Sequence, residues 1–121
     1  MTLEQFDTFC ASLPGTAMVV QWGNAHVWKV GDKIFAIASP WGPDRPDHSF
    51  KISFKCSDFS YHLLCEQPGV IPAPYLARAK WVQVQERDAL DTNDLKSYIS
   101  AAHEIIAAKL TVKARREHGL A

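Results

Sequence analysis

The apolar positions of this chain switch between helical and strand spacing four times. Leu3, Phe6, Cys10 and Leu13 recur at helical spacing, which predicts a first helix over Thr2–Leu13. Thr2 and Gln5 stand as a T-x-x-Q capping box at its start, and Pro14-Gly15 stops it. Three β-rich segments follow: Ala17–Trp22, Ala25–Val30 and Lys33–Ala38. Gly23-Asn24 and Gly31-Asp32 separate them, and a glycine-first pair suits a tight two-residue hairpin of the II′ kind. With both turns tight, Val19, Trp28 and Phe35 share one face of the meander, and Val20, Val27 and Ala36 the other. Both faces are apolar, so alternation leaves open which one is covered.

The segment Ser39–His48 holds three prolines and a glycine and is expected as a loop. A fourth strand, Ser49–Lys55, alternates cleanly: Phe50, Ile52 and Phe54 point one way, Lys51, Ser53 and Lys55 the other. Ser57 is placed to cap a second helix, Asp58–Gln67, with Phe59 and Leu63 inward and Pro68-Gly69 closing it. Pro68–Leu76 reads as a proline-stiffened connection. A fifth strand, Lys80–Gln85, sets Val82 and Val84 inward and Trp81, Gln83 and Gln85 outward. The last helix starts near Asp91 or Thr92 and runs to about Glu117, with room for a break near Thr111-Val112. Its stripe is Leu95, Ile99, Ala102, Ile106 and Leu110. The order α-β-β-β-β-α-β-α predicts an α+β domain over residues 1–121. It has two layers, an antiparallel sheet of about five strands covered on one face by helices.

Composition fits this picture. Apolar residues make up 47% of the 121 positions and charged residues 21%, as in an ordinary globular domain. No apolar run approaches the roughly 20 residues of a membrane span, and no signal peptide is visible, so a soluble, cytoplasmic protein without membrane contact is expected. Cys10, Cys56 and Cys65 are odd in number and form no C-x-x-C, which suits reduced thiols packed as small hydrophobes. Thirteen basic residues balance thirteen acidic ones. A nucleic-acid binder with no net charge needs its charges segregated in space, because phosphate neutralisation supplies much of the affinity.

Candidate chemistry is sparse. His26, His48, His62, His103 and His118 make no H-x-x-x-H and no ligand spacing with cysteine, so no metal site is expected. There is no G-x-S-x-G, no G-x-G-x-x-G and no P-loop, and the chain is read as non-enzymatic and free of cofactors. The acids Glu86, Asp88, Asp91 and Asp94 precede or open the last helix, and Lys109, Lys113, Arg115 and Arg116 lie at its end. That arrangement complements a helix dipole, and the basic tail serves equally as a phosphate contact. On the sheet, Lys51, Ser53 and Lys55 share one side of strand four, and Trp81, Gln83 and Gln85 one side of strand five. Arg78 and Lys80 precede strand five. If the two sides coincide, the result is a face of cations, amides and an aromatic, able to hold phosphates and stack a base, or else an ordinary solvated sheet face. Trp22, Trp28 and Trp81 fall on strands and suit the core; Trp41, beside Gly42 in the proline-rich loop, is the tryptophan expected to be exposed.

Several stretches together resemble the MmcQ/YjbR family: G-D-K-I-F-A-I (Gly31–Ile37), F-K-I-S-F-K (Phe50–Lys55) and P-G-V-I-P-A-P-Y-L-A-R-A-K-W-V-Q-V (Pro68–Val84). The last, with P-A-P-Y-L followed by K-W-V, is the most specific. Q-W-G at Gln21–Gly23 resembles the family's early P-[FW]-G, and A-H-E-I-I-A-A-K-L its closing helix, with Ala102-His103 standing where the family has Ser-Tyr. The resemblance runs from about Leu3 to Leu110. It implies a secretion-chaperone-like α+β fold and a DNA-binding role through a double-wing motif, with no catalytic residue or cofactor. Carried over by position, it points to Lys33, Lys51, Arg78, Lys80 and Trp81; the sheet face adds Lys55 and the loop Trp41. DNA is thus the first expected partner. A protein partner or a homodimer is the alternative, and a small ligand beneath Pro68–Tyr75 the third reading.

Overall fold

In a computed structural model, which describes residues 1–40, 50–85 and 89–120, the N-terminal capping box forms as the sequence implies. Gln5 N–H donates to the Thr2 hydroxyl at 3.1 Å, and Thr2 N–H donates to Gln5 Oε1 at 2.9 Å. This opens α1 (Leu3–Ser12), whose Phe6 and Cys10 are fully buried. The chain then forms β1 (Thr16–Gln21), β2 (Ala25–Val30), β3 (Lys33–Pro40), β4 (Phe50–Lys55), α2 (Asp58–Cys65), β5 (Val70–Pro72), β6 (Trp81–Val84), α3 (Thr92–Ala107) and α4 (Val112–Glu117). Trp41, most of the expected loop, and the run Glu86-Arg87-Asp88 lie outside the described residues.

Six strands form one antiparallel sheet in the order β1-β2-β3-β4-β6-β5. The strand beyond the expected five is β5, made by the proline-stiffened connection, whose Val70 pairs with Val84. The long last helix divides where a break was allowed for: α3 ends at Ala107, and the Thr111 hydroxyl caps α4 by accepting from Ala114 N–H at 3.1 Å. β3 runs to Pro40, two residues into the segment read as loop, pairing Ser39 with Lys51.

The meander register differs from the expectation in two places. Gln21 pairs with Ala25, so the first turn has three residues, Trp22-Gly23-Asn24, all at positive φ (51°, 70° and 75°). One extra residue moves Val19 opposite Val27 and Met18 opposite Trp28, so Val19 and Val20 exchange faces. The second turn is the two-residue Gly31-Asp32, but both φ angles are positive (49° and 71°), which is type I′ geometry rather than II′. A bulge follows: Lys29 pairs with Ile34 and Trp28 with Ala36, leaving Phe35 as the extra residue. Phe35 and Ala36 therefore both join Trp28 in the core under the helices.

That core gathers Phe6 and Cys10 of α1, Leu64 of α2, and Leu95, Ile99, Ala102 and Ile106 of α3 against Ile52, Phe54, Val82 and Val84 of the sheet. The α3 stripe is buried as its spacing predicts. The inner face of α2 is not the one expected. Leu64 is buried, with Tyr61 and Cys65 packed beside it, whereas Phe59 is 76% exposed and Leu63 45%. The Ser57 cap, accepting from Ser60 N–H at 3.1 Å, is as expected; it sets the start of the helix and not its rotation. A second, smaller cluster of Ala25, Val27, Ile37, Ala73 and Trp81 lies on the opposite sheet face, packed with Leu76. No described helix is long and apolar enough to cross a membrane.

Candidate nucleic-acid interface

Antiparallel pairing collects particular strand ends. β3 starts at Lys33, β4 ends at Lys55, and β6 starts at Trp81 opposite Lys55. The backbone ties Lys80 to the same place, since Cys56 N–H donates to the Lys80 carbonyl at 2.8 Å. A single 3-10 turn, Ala77–Ala79, brings Arg78 beside it, and the Lys55 ammonium donates to the Ala79 carbonyl. At this end of the sheet α3 also finishes, adding Lys109 close enough to act on Lys55.

α4 folds back against the β2–β3 turn. The His118 ring lies 3.9 Å from the Asp32 carboxylate, and Gly31 faces Leu110 and His118. Lys113, Arg115 and Arg116 are thereby added to the same end. Arg115 Nη1 donates to the Ala107 carbonyl at 3.1 Å and so caps the C-terminus of α3, the helix-electrostatic role. Lys113 lies 4.0 Å from Glu117 on the exposed face of α4.

Among the described residues, the acids that share this end are Asp32, Asp58, Glu117 and Glu104, the last beside Arg115 in the final turn of α3. Others open helices whose N-termini point the opposite way: Glu4 in the first turn of α1, Asp91 and Asp94 at the start of α3. A chain with no net charge is therefore a molecule with a basic end. Lys55 shows the local consequence. Its pKa is lowered first by burial and then by the neighbouring Lys109, with Lys80 adding and Asp58 opposing. An ammonium held against like charges gains from an anion placed beside it.

The expected site residues divide accordingly. Lys33, Lys55, Arg78 and Lys80 come together at the basic end. Lys51 lies on the same strand face as Lys55 but four residues away, about 13 Å along β4, opposite Ser39. Ser53 pairs with Gln83 and Lys55 with Trp81, so the two strand sides do coincide. They are not an open face, however. Trp81 is only 6% exposed, Gln83 9% and Ser53 4%, because Ala73–Ala79 crosses over them. Trp81 is thus a packing residue and presents no ring for stacking. Trp28 is buried as expected, but Trp22 is 64% exposed at the tip of the first hairpin. Trp41 lies outside the described residues.

Lys109 and the α4 cations were visible as a basic tail, but their meeting with the β4–β6 end depends on the direction of α3 and the fold-back of α4. Among the described residues no cluster of three His, Cys, Asp or Glu side chains could hold a metal ion. The Ala102-His103 pair is structural: both residues are buried, and His103 Nε2 donates to the Pro14 carbonyl at 2.7 Å, edge-on to Phe35.

No curated protein matches the chain. The crystal structure of Deinococcus radiodurans protein DR2400, domain DUF419, is similar to it with a TM-score of 0.80 at 19% identity, covering 99% of this chain and 89% of that one. Identity this low speaks for a common fold alone. The family model named YjbR matches residues 11–105, from the last two residues of α1 to near the end of α3, and the chain belongs to the YjbR family.

Proposed function

We propose that this domain is a non-enzymatic DNA-binding module that holds phosphates against its basic end. The observation that supports this reading most is the segregation of charge. Lys33, Lys55, Arg78, Lys80, Lys109 and Arg116 gather at one end of a chain whose formal charges sum to zero. Such a surface contacts the nucleic-acid backbone, positions the protein on it and carries no sequence information by itself. Charge reversal tests the assignment. Lys33→Glu and Arg116→Glu together should weaken binding of a fluorescent duplex by at least tenfold at low salt, on the order expected when two phosphate contacts are lost. Lys96→Glu, on the first turns of α3 away from this end, should have little effect. Equal effects from the two sets would mean that the basic end is not the contact surface.

A protein-interaction role has one specific observation in its favour. β1 is an edge strand of sequence T-A-M-V-V-Q with neither proline nor a charged residue, and Met18, Val19 and Val20 are 38%, 41% and 51% exposed. Unprotected apolar edges pair with other strands. A second copy of this chain, joined by antiparallel β1–β1 pairing about a twofold axis, would extend the sheet to both sides. Light scattering after size exclusion should then give a dimer for the native chain and a monomer for Val19→Lys. A native monomer at micromolar concentration would contradict it.

A further inference from the structure

On the sheet face away from the helices, a pocket of about 560 Å³ opens between the first hairpin and the segment Ala73–Leu76. Its floor is polar and buried. Ser53 of β4 and Gln83 of β6 lie side by side there, 4% and 9% exposed. Gln83 Nε2 donates to Ser53 Oγ at 3.5 Å, and Gln83 Oε1 accepts from Gln85 Nε2 at 3.0 Å. An amide has two N–H donors and two acceptor lone pairs, and a hydroxyl has a donor of its own. One Gln83 N–H, one Oε1 lone pair and the Ser53 O–H are thus left as an adjacent donor and acceptor edge.

The walls are mainly apolar, from Ile37, Ala73, Pro74 and Leu76, with Ser39 beside them, and among the described residues no lining side chain is charged. Two aromatics line the mouth: Trp22, 64% exposed in the β1–β2 turn, and Tyr75, fully exposed in the connection from β5 to β6. Both are exposed, and both hold positive φ, 51° and 66°. Bulky side chains rarely adopt that backbone region, and such residues concentrate at ligand sites. Two strained aromatics at the rim of one pocket, above a buried amide, fit one kind of ligand. It is flat and uncharged, stacks on rings and presents a donor–acceptor edge.

We propose that this pocket binds a nucleobase, stacked against Trp22 and Tyr75 and hydrogen-bonded at its edge by Gln83 and Ser53. The base comes either as a free nucleoside or as an unpaired base of a strand. The second source rests on the DNA-binding reading above, and the first does not. A side-chain amide reads a base edge in the same bidentate manner when glutamine meets adenine.

The test is an NMR titration of ¹⁵N-labelled protein with each of the four common nucleosides, and separately with a short single strand. It follows the Trp22 indole N–H and the Gln83 side-chain amide. At least one nucleoside at millimolar concentration, or the strand, should shift both signals. Trp22→Ala, and Tyr75→Gly, which suits the backbone at that position, should each weaken that binding by about tenfold. Both positions are exposed, so these variants keep the fold that a change at Gln83 would endanger. Nucleosides that bind here while the strand does not would leave the pocket standing as a free-nucleoside site and remove the strand as the source of the base. A strand that binds through the basic end, with both pocket signals unmoved and no nucleoside bound, would overturn the pocket and leave the DNA reading intact.

Discussion

The Lys80 ammonium lies 4.9 Å from the centre of the Tyr61 ring, while the Lys80 backbone holds a left-handed conformation at φ 61°. A position that favours glycine thus carries a lysine, fixed over an aromatic of α2 at the centre of the basic end. In Lys80→Gly the relieved backbone offsets the lost cation–π contact, and stability should stay within about 1 kcal/mol of the native chain. DNA affinity should still fall, and the slope of log affinity against log salt should flatten by about one unit. Denaturant melts and anisotropy on the same preparation separate the two effects.

Asp7 joins α1 to the middle of the meander. Its Oδ1 accepts from Trp28 Nε1 at 2.9 Å, and its Oδ2 lies 2.8 Å from His26 Nδ1. Asp7→Ala leaves a largely buried indole N–H without its partner. The expected loss is about 2 kcal/mol, or about 8 °C in Tm for a domain of this size.

Two glycines should respond differently to alanine. At Gly31, with φ +49°, a Cβ would stand 2.7 Å from Leu110 Cδ1, between the β2–β3 turn and the start of α4. Gly31→Ala should cost about 2 kcal/mol from backbone and packing together. At Gly23, with φ +70°, nothing lies within 4 Å, so only the conformational cost of about 1 kcal/mol is expected. Thermal melts of the two variants check the order.

The thiols should behave as packing groups. Burial, with Cys65 adding and Lys55 opposing, pushes Cys56 up from 9.0 to about 12, and burial then Asp7 push Cys10 up as well. In the native protein at neutral pH, Cys65 should react with an aromatic disulfide reagent well before the other two; in denaturant all three should react. A folded pKa above the unfolded one favours the fold fully below pH 9.0, and that contribution is lost as pH rises towards 12. Stability should therefore decline above pH 9.0, and less steeply in Cys56→Ala.

How much of this could be read in the sequence depends on the range of each interaction. The capping box at Thr2, the Ser57 cap and the α3 stripe are local, and their spacing shows them. The register of β1 turns on a single residue: Trp22-Gly23-Asn24 forms a three-residue turn where Gly23-Asn24 alone suggests two, and Val19 changes faces as a result. The rotation of α2 is a tertiary choice between Leu64 and the Phe59–Leu63 pair. Alternation put Ser53 on one side of its strand and Gln83 on one side of its own, and only the β4–β6 register shows that the two sides coincide. Nothing in the strands themselves announces that Ala73–Ala79 will cross over them, bury Trp81 and roof a pocket. The basic end is the clearest case. Lys33, Lys55, Arg78, Lys80 and Lys109 span most of the chain, and only strand order and the direction of α3 bring them together.

The most direct measurement is the binding of a fluorescent DNA duplex, followed by anisotropy, at about 50 and about 200 mM salt. Micromolar or tighter binding at the lower salt, falling at least tenfold at the higher, is the result predicted for a basic end that neutralises phosphates. No binding at the lower salt, or binding indifferent to salt, would contradict it.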